Sequence, residues 1–184
     1  MTHPTETAEI RWFLPGPLPT AVGAWFAAVA TDPRRERRTD RYLVPESGGV
    51  GQKHREGRAE VKTRTAGGEA LACGRVAGTS EHWRKEVVDA LPPGPRLAVH
   101  KARRLCRAVT STASCTLEVS EVAVGEAVWW TVCLEALAPT TAARERTLRE
   151  AAQRWLAHPD TPVLPAEAAR GYPAWLLALA DGSA

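Results

Sequence analysis

No stretch of this chain approaches the ~18 consecutive apolar residues that a membrane-spanning helix needs; the longest, Ala21 to Ala30 and Tyr172 to Ala180, stop well short of it. Met1 to Ala8 is polar and does not read as a secretion signal, so a cytoplasmic protein with no membrane partner is expected. The four cysteines, Cys73, Cys106, Cys115 and Cys133, show neither C-x-x-C pairing nor zinc spacing, and reduced thiols are expected of them. His54, His82 and His100 have no mutual metal-ligand spacing. A glycine-rich phosphate loop and a nucleophile elbow are both missing, which sets aside two large groups of nucleotide-handling and hydrolytic folds. The net charge of +3 makes no case for nucleic acid. Lysine is scarce as well: of 24 basic residues four are lysines, Lys53, Lys62, Lys85 and Lys101, and all fall inside candidate strands.

What is present is ordinary globular material, 44% hydrophobic and 24% charged over 184 residues, enough for one domain with a real core. A single unit spanning 1–184 is expected, with a strand core at 8–137 and C-terminal helices at 140–181. Ala8 to Leu14 alternates charged and apolar residues like a half-buried strand. Leu18 to Ala30 carries Val22, Trp25, Phe26 and Val29 at helical spacing, and the charged run Arg34 to Arg38 reads as an exposed loop. Strands are predicted at Asp40–Val44, Gly49–Arg55, Ala59–Thr65, Ser80–Val88, Arg96–Val109, Ser114–Val122 and Ala127–Leu137. Turns are predicted at Ser47-Gly48-Gly49, Glu56-Gly57, Gly67-Gly68 and Val124-Gly125. The count of about eight strands is the number that closes a small barrel around one ligand. Thr140 or Thr141 is expected to cap a helix through Leu148, Trp155 and Leu156. A last helix, Tyr172 to Ala180, offers Trp175, Leu176 and Leu179 as its docking face. The elements give an α+β fold with flanking helices, either an open, one-sided antiparallel sheet or an antiparallel, eight-stranded, closed or nearly closed β-barrel.

The strands carry charge with a parity. Residues two apart share a face, which groups Glu9 with Arg11, Lys53 with Arg55, and Glu60 with Lys62 and Arg64. It likewise groups Arg84 with Glu86, Lys101 with Arg103, and Thr131 and Cys133 with Glu135, with Glu118 on the strand between. An open sheet would turn these charges to water; a closed barrel would line a wet lumen with them. Burying so many charges is tolerable when they pair with one another or hold an ion. Arginine grips phosphate bidentately and lysine meets it as a point charge.

In this order the segments resemble the CYTH superfamily, also called triphosphate tunnel metalloenzymes, which includes adenylyl cyclases, thiamine triphosphatases and inorganic triphosphatases. The opening strand Glu9-Ile10-Arg11-Trp12-Phe13 stands where that family has Glu-x-Glu-x-Lys. Asp40-Arg41-Tyr42 is similar to its Asp-x-Tyr, and Lys53-His54-Arg55-Glu56-Gly57 to its Arg-x-Arg-Glu-Gly. Glu60 to Arg64, Arg84-Lys85-Glu86, Lys101 to Arg104 and the hairpin Leu117 to Ala136 follow in the family's sequence of strands. The resemblance implies a tunnel in which Arg11, Lys53, Arg55, Lys62, Arg64, Arg84, Lys101 and Arg103 hold a phosphorylated small molecule or polyphosphate-type anion. It further implies Mg²⁺ or Mn²⁺ on Glu9, Glu118 and Glu135, with Glu9 and Glu135 serving triphosphate hydrolysis. The departures are specific: Arg11 replaces a glutamate, Phe13 a lysine, and Thr131 and Cys133 stand where acids are expected. An arginine beside Glu9 repels a cation and attracts an anion. A metal-free, non-catalytic binder of a phosphorylated ligand is thus the alternative to the hydrolase. An interaction or scaffold protein presenting some of its seven tryptophans is a third reading.

Overall fold

In the computed structural model, which describes residues 4–183, eight antiparallel strands close a barrel in the order β1-β5-β4-β3-β2-β6-β7-β8. Met1 to His3 and Ala184, which the expected unit 1–184 includes, lie outside the described residues. The strands are β1 Thr5–Pro15, β2 Arg34–Leu43, β3 Val50–Arg55, β4 Arg58–Cys73, β5 Val76–Val88, β6 Arg96–Val109, β7 Ser114–Val124 and β8 Ala127–Leu137. Helix α1 (Thr20–Val29) follows β1; α2 (Thr141–Trp155) and α3 (Tyr172–Asp181) follow β8. No helix is long and apolar enough to cross a membrane.

Two sequence expectations fail here. The run Arg34 to Arg38 is not a loop but the first half of β2, paired along its length with β6 from Arg34 opposite Leu105. Its alternation was hidden because both faces carry charge, leaving no apolar period to read. Gly67-Gly68 is not a hairpin turn but an irregular stretch inside β4, and the chain reverses instead at Gly74, whose φ is +58°. The reason for Gly68 is packing: a Cβ there would lie 2.0 Å from Ser80 Oγ and 2.4 Å from Glu145 Oε1. The turn at Glu56-Gly57 is as expected, both residues taking positive φ, 49° and 77°, as a two-residue hairpin of matching twist requires.

Alternation along β1, β7 and β8 produces two different walls. Outside, Ile10, Trp12, Leu117, Val119, Val132 and Leu134 form one apolar surface. Against it pack Val22, Trp25 and Phe26 of α1 and Leu148, Ala152 and Trp155 of α2. Thr140 caps α2 by accepting from Ala143 N at 3.2 Å. Between α2 and the barrel, His82 Nε2 and Ser80 Oγ both reach Glu145 Oε1 at 2.7 Å, so His82 is a buried strand residue that ties β5 to α2.

Inside, one end of the barrel is filled. Trp175 and Leu176 of α3 enter among the lumen-facing Phe13, Tyr42, Val99 and Val122. Trp175 stacks on Phe13 with centroids 4.5 Å apart, and Tyr172 stacks on Tyr42 at 5.6 Å. Phe13, where the resemblance has lysine, is thus part of an apolar plug. Trp130 belongs to the outer core and half-buried Trp129 packs edge-on to Trp175 at 6.1 Å, so neither offers a partner surface. Among the described residues the exposed large hydrophobics are valines, which removes the basis for the scaffold reading. All four cysteines are free and buried.

Trp175→Ala is expected to cost about 3–5 kcal/mol, as for other fully buried tryptophans. Urea denaturation followed by circular dichroism measures it, and a loss below about 1 kcal/mol would mean that α3 does not plug the barrel.

Candidate functional site

The half of the lumen left open by α3 is a cavity of about 130 Å³, walled at its inner end by Tyr172 and Pro173. Arg11, Lys53, Arg55, Lys62, Lys101 and Arg103 all line it, as do Glu9, Glu118 and Glu135. The parity reading therefore holds for six of the seven strands on which it was made. It fails on β5, where Arg84 points outward, its side chain 48% exposed and bonded to Glu86 at 2.9 Å. Trp83 and Lys85 hold the inner positions of that strand. His82, Arg84 and Glu86 look no more polar than Glu81 and Lys85, so period-2 reasoning had nothing to choose by; Trp83 in the lumen decides it. Arg64 also leaves the cavity lining and pairs with Glu81 at 2.8 Å.

Side chains from successive strands join into a chain of alternating charge. Lys62 Nζ lies 3.6 Å from Glu135 Oε1 and donates to Glu9 Oε2. Glu9 Oε1 accepts from Arg11 Nε at 3.2 Å, and Arg11 Nη1 donates to Glu118 Oε1 and Thr131 Oγ1, each at 3.1 Å. Glu118 also accepts from Ser120 Oγ at 2.7 Å and from Arg103 Nη2. Arg103 Nη1 continues to Glu36 Oε2 at 2.7 Å, whose other oxygen accepts from Arg38 Nη1 at 2.6 Å. Arg38 Nε reaches Asp40 Oδ1 at 3.2 Å. The fully buried Asp40 binds Lys101 Nζ at 2.8 Å and Lys53 Nζ at 3.1 Å, and Lys53 ends the chain at Glu60, 3.6 Å away. Arg55 stands 3.9 Å from Glu36. Lys85 makes no ion pair among the described residues, although the register sets it directly opposite Lys62.

Glu36, Arg38, Asp40, Tyr42, Glu60, Trp83, Lys85 and Tyr172 thus belong to the site without having been singled out as such. The signal for Lys85 was its type: all four lysines of the chain line this one cavity. Glu36 and Arg38 share a face with Asp40 and Tyr42, which shows only once the run is known to be strand. Tyr172 gave no signal, since only the return of α3 brings it beneath Arg11 (4.9 Å) and Lys101 (3.9 Å) as a cation–π partner.

Burial drives these carboxyl groups toward the neutral form, but their cations outweigh it. Lys62 and Arg11 hold Glu9 at a pKa of about 2, and Arg11 and Arg103 hold Glu118 well below the ordinary range. Asp40 is lowered in the same way by Lys101 and Lys53. Lys101 itself is pushed well below the lysine range, by burial and then by Lys53. Burial keeps Cys133 protonated, which removes it as a nucleophile at neutral pH.

The resemblance implies a divalent cation on Glu9, Glu118 and Glu135. The donor set does not fit one: the permanently charged guanidinium of Arg11 stands between Glu9 and Glu118, and Lys62 stands between Glu9 and Glu135. Among the described residues no three His, Cys, Asp or Glu side chains gather as they would around an ion. Oxygen donors already bonded to cations have little left for a hard metal.

Arg11→Met leaves two buried carboxylates short of a cation and is expected to destabilise by about 3–5 kcal/mol, read from urea midpoints. Because the folded pKa values of Glu9, Glu36 and Glu118 are depressed, their stabilisation is complete above the ordinary carboxylate pKa of about 4.5 and is lost as pH falls from there toward about 2. Urea midpoints measured across that window should fall steeply, whereas a flat profile would mean that the carboxylates are not ion-paired.

No family model matches the chain, and no curated protein matches it. Among solved structures, it is similar to that of S. pombe Pct1 RNA triphosphatase, with 12% identity and a TM-score of 0.41 over 86% of this chain and 79% of that one. The same enzyme in complex with the Spt5 CTD gives 12% identity and a TM-score of 0.40 over 87% and 79%. A likeness of that degree decides nothing about the chemistry of this cavity.

Proposed function

We propose that this protein binds a phosphate-bearing small molecule in its barrel without the help of a divalent metal. The single observation behind this reading is the Arg11 guanidinium, bonded to Glu9 and Glu118 at 3.2 and 3.1 Å. A built-in cation there supplies the positive charge that a metal would otherwise bring to a phosphate, and it does so at every pH a protein meets. Around it, lysines and arginines from β2, β3, β4, β5 and β6 converge on one enclosed space, where a low local dielectric strengthens their pull on an anion.

The hydrolytic reading of Glu9 and Glu135 is the weaker one. A general base works best with a pKa near the operating pH, and Glu9 at about 2 is far too weak a base to activate water. Glu135 is the freest carboxylate of the cavity wall, its side chain 39% exposed, but the carboxylate opposite it, Glu9, is tied to Lys62 and Arg11.

A thermal-shift titration with tripolyphosphate in excess EDTA tests the proposal. At about 100 times the dissociation constant a bound anion adds about 2.7 kcal/mol, which for a chain of this size is a rise in Tm of about 5–10 °C. The rise should appear equally with EDTA and with Mn²⁺. Stabilisation that requires Mn²⁺, or none at all, would sink the metal-free reading.

A further inference from the structure

We infer that the cavity is built for one phosphate monoester in its dianionic form, entering phosphate first, which deepens and rests on the metal-free binding proposed above.

Charge is the first ground. Eight cationic side chains line the cavity, and they are met by six carboxylates, the four in its wall plus Glu36 and Asp40 just behind. Counting Lys101 as protonated, as its 2.8 Å contact with Asp40 favours against burial, the excess is two positive charges. Tyr42 and Tyr172 do not alter the account, because burial raises both phenols out of the range in which they ionise. A buried cluster with an excess of two is completed by a ligand of charge about −2, which is what a phosphate monoester carries at pH 7. A triphosphate would overshoot it.

The place of the excess is the second ground. Lys85 has no carboxylate, and Arg55 has a distant one at 3.9 Å. Like charges set directly opposite on neighbouring strands repel, yet β4 and β5 set Lys62 against Lys85. An oxyanion between them turns that repulsion into two charge-assisted hydrogen bonds. Beside them the ring of Trp83 lines the cavity, its centroid 5.4 Å from Lys62 Nζ.

Size and shape are the third. The cavity of about 130 Å³ has room for a phosphoryl group. With Tyr172 and Pro173 across the inner end and the Phe13–Trp175 stack behind them, only one side of the ligand can lead outward. A monoester has one such substituent; a diester has two.

Isothermal titration calorimetry in EDTA with methyl phosphate, dimethyl phosphate and tripolyphosphate tests this. Methyl phosphate should bind at least tenfold more tightly than dimethyl phosphate, and tripolyphosphate should bind no more tightly than methyl phosphate despite its greater charge. Lowering the pH from 7.5 to 5 should weaken methyl phosphate about tenfold, following its second pKa of about 6. Lys85→Gln should weaken it tenfold or more with the Tm of the free protein not lowered, since Lys85 holds no partner in place and its repulsion of Lys62 is relieved. Tripolyphosphate binding tenfold tighter than methyl phosphate would overturn the monoester assignment and leave anion binding standing. Equal binding of dimethyl phosphate would overturn the dianion requirement. Failure of all three to bind would overturn both readings.

Discussion

Everything in this barrel depends on a compromise between charge and burial. Charged side chains from all eight strands face the lumen, and an isolated ion there would be prohibitively costly. The cost is offset because neighbouring strands supply opposite signs, so that Glu9, Glu118, Glu36 and Asp40 each bridge two or more cations. Such a chain works only if the barrel is closed. Opening it anywhere would leave a carboxylate or a guanidinium buried without its partner, and that is the expensive state.

The rest of the molecule keeps the chain closed and partly dry. Helices α1 and α2 cover the outer apolar wall of β1, β7 and β8, so these strands are buried on both faces, one apolar and one ionic. Helix α3 closes the inner end with aromatic rings that serve two neighbours at once. Tyr172 packs against Phe13 and Tyr42 on one side and lies under Arg11 and Lys101 on the other. The boundary between apolar plug and polar cavity therefore runs through single side chains. What the carboxylates leave over, a Lys85 with no ion pair among the described residues and a loosely held Arg55, faces the remaining space, and the proposed attraction for an anion rests on that imbalance.

Much of this was legible from residue order. Strict alternation in Glu9-Ile10-Arg11-Trp12 told which side chains share a face, and turn chemistry at Glu56-Gly57 placed the β3–β4 hairpin. The restriction of lysine to four strand positions was visible too, but the phase expected of β5 turned Lys85 away from the lining. The misreadings have a common cause. In Arg34 to Arg38 and in Glu81 to Glu86 both faces carry polar residues, so a period of two exists but cannot say which phase points inward. At Gly67-Gly68 the glycines answer to the approach of Ser80 and Glu145, a contact across 65 residues of sequence between its partners.

By itself, then, the sequence determined the α+β class, about eight antiparallel strands and the phase of six of them, because backbone alternation and turn preferences are local. It also determined that the first strand carries a cation beside its glutamate. Only the tertiary structure decided that Arg11 lies between Glu9 and Glu118, that Lys85 and not Arg84 faces inward, and that α3 blocks one end with Trp175 and Tyr172. Those outcomes depend on which residues distant in the chain neutralise one another when closure brings them within a few ångströms, and Coulomb attraction between strands leaves no imprint on local periodicity.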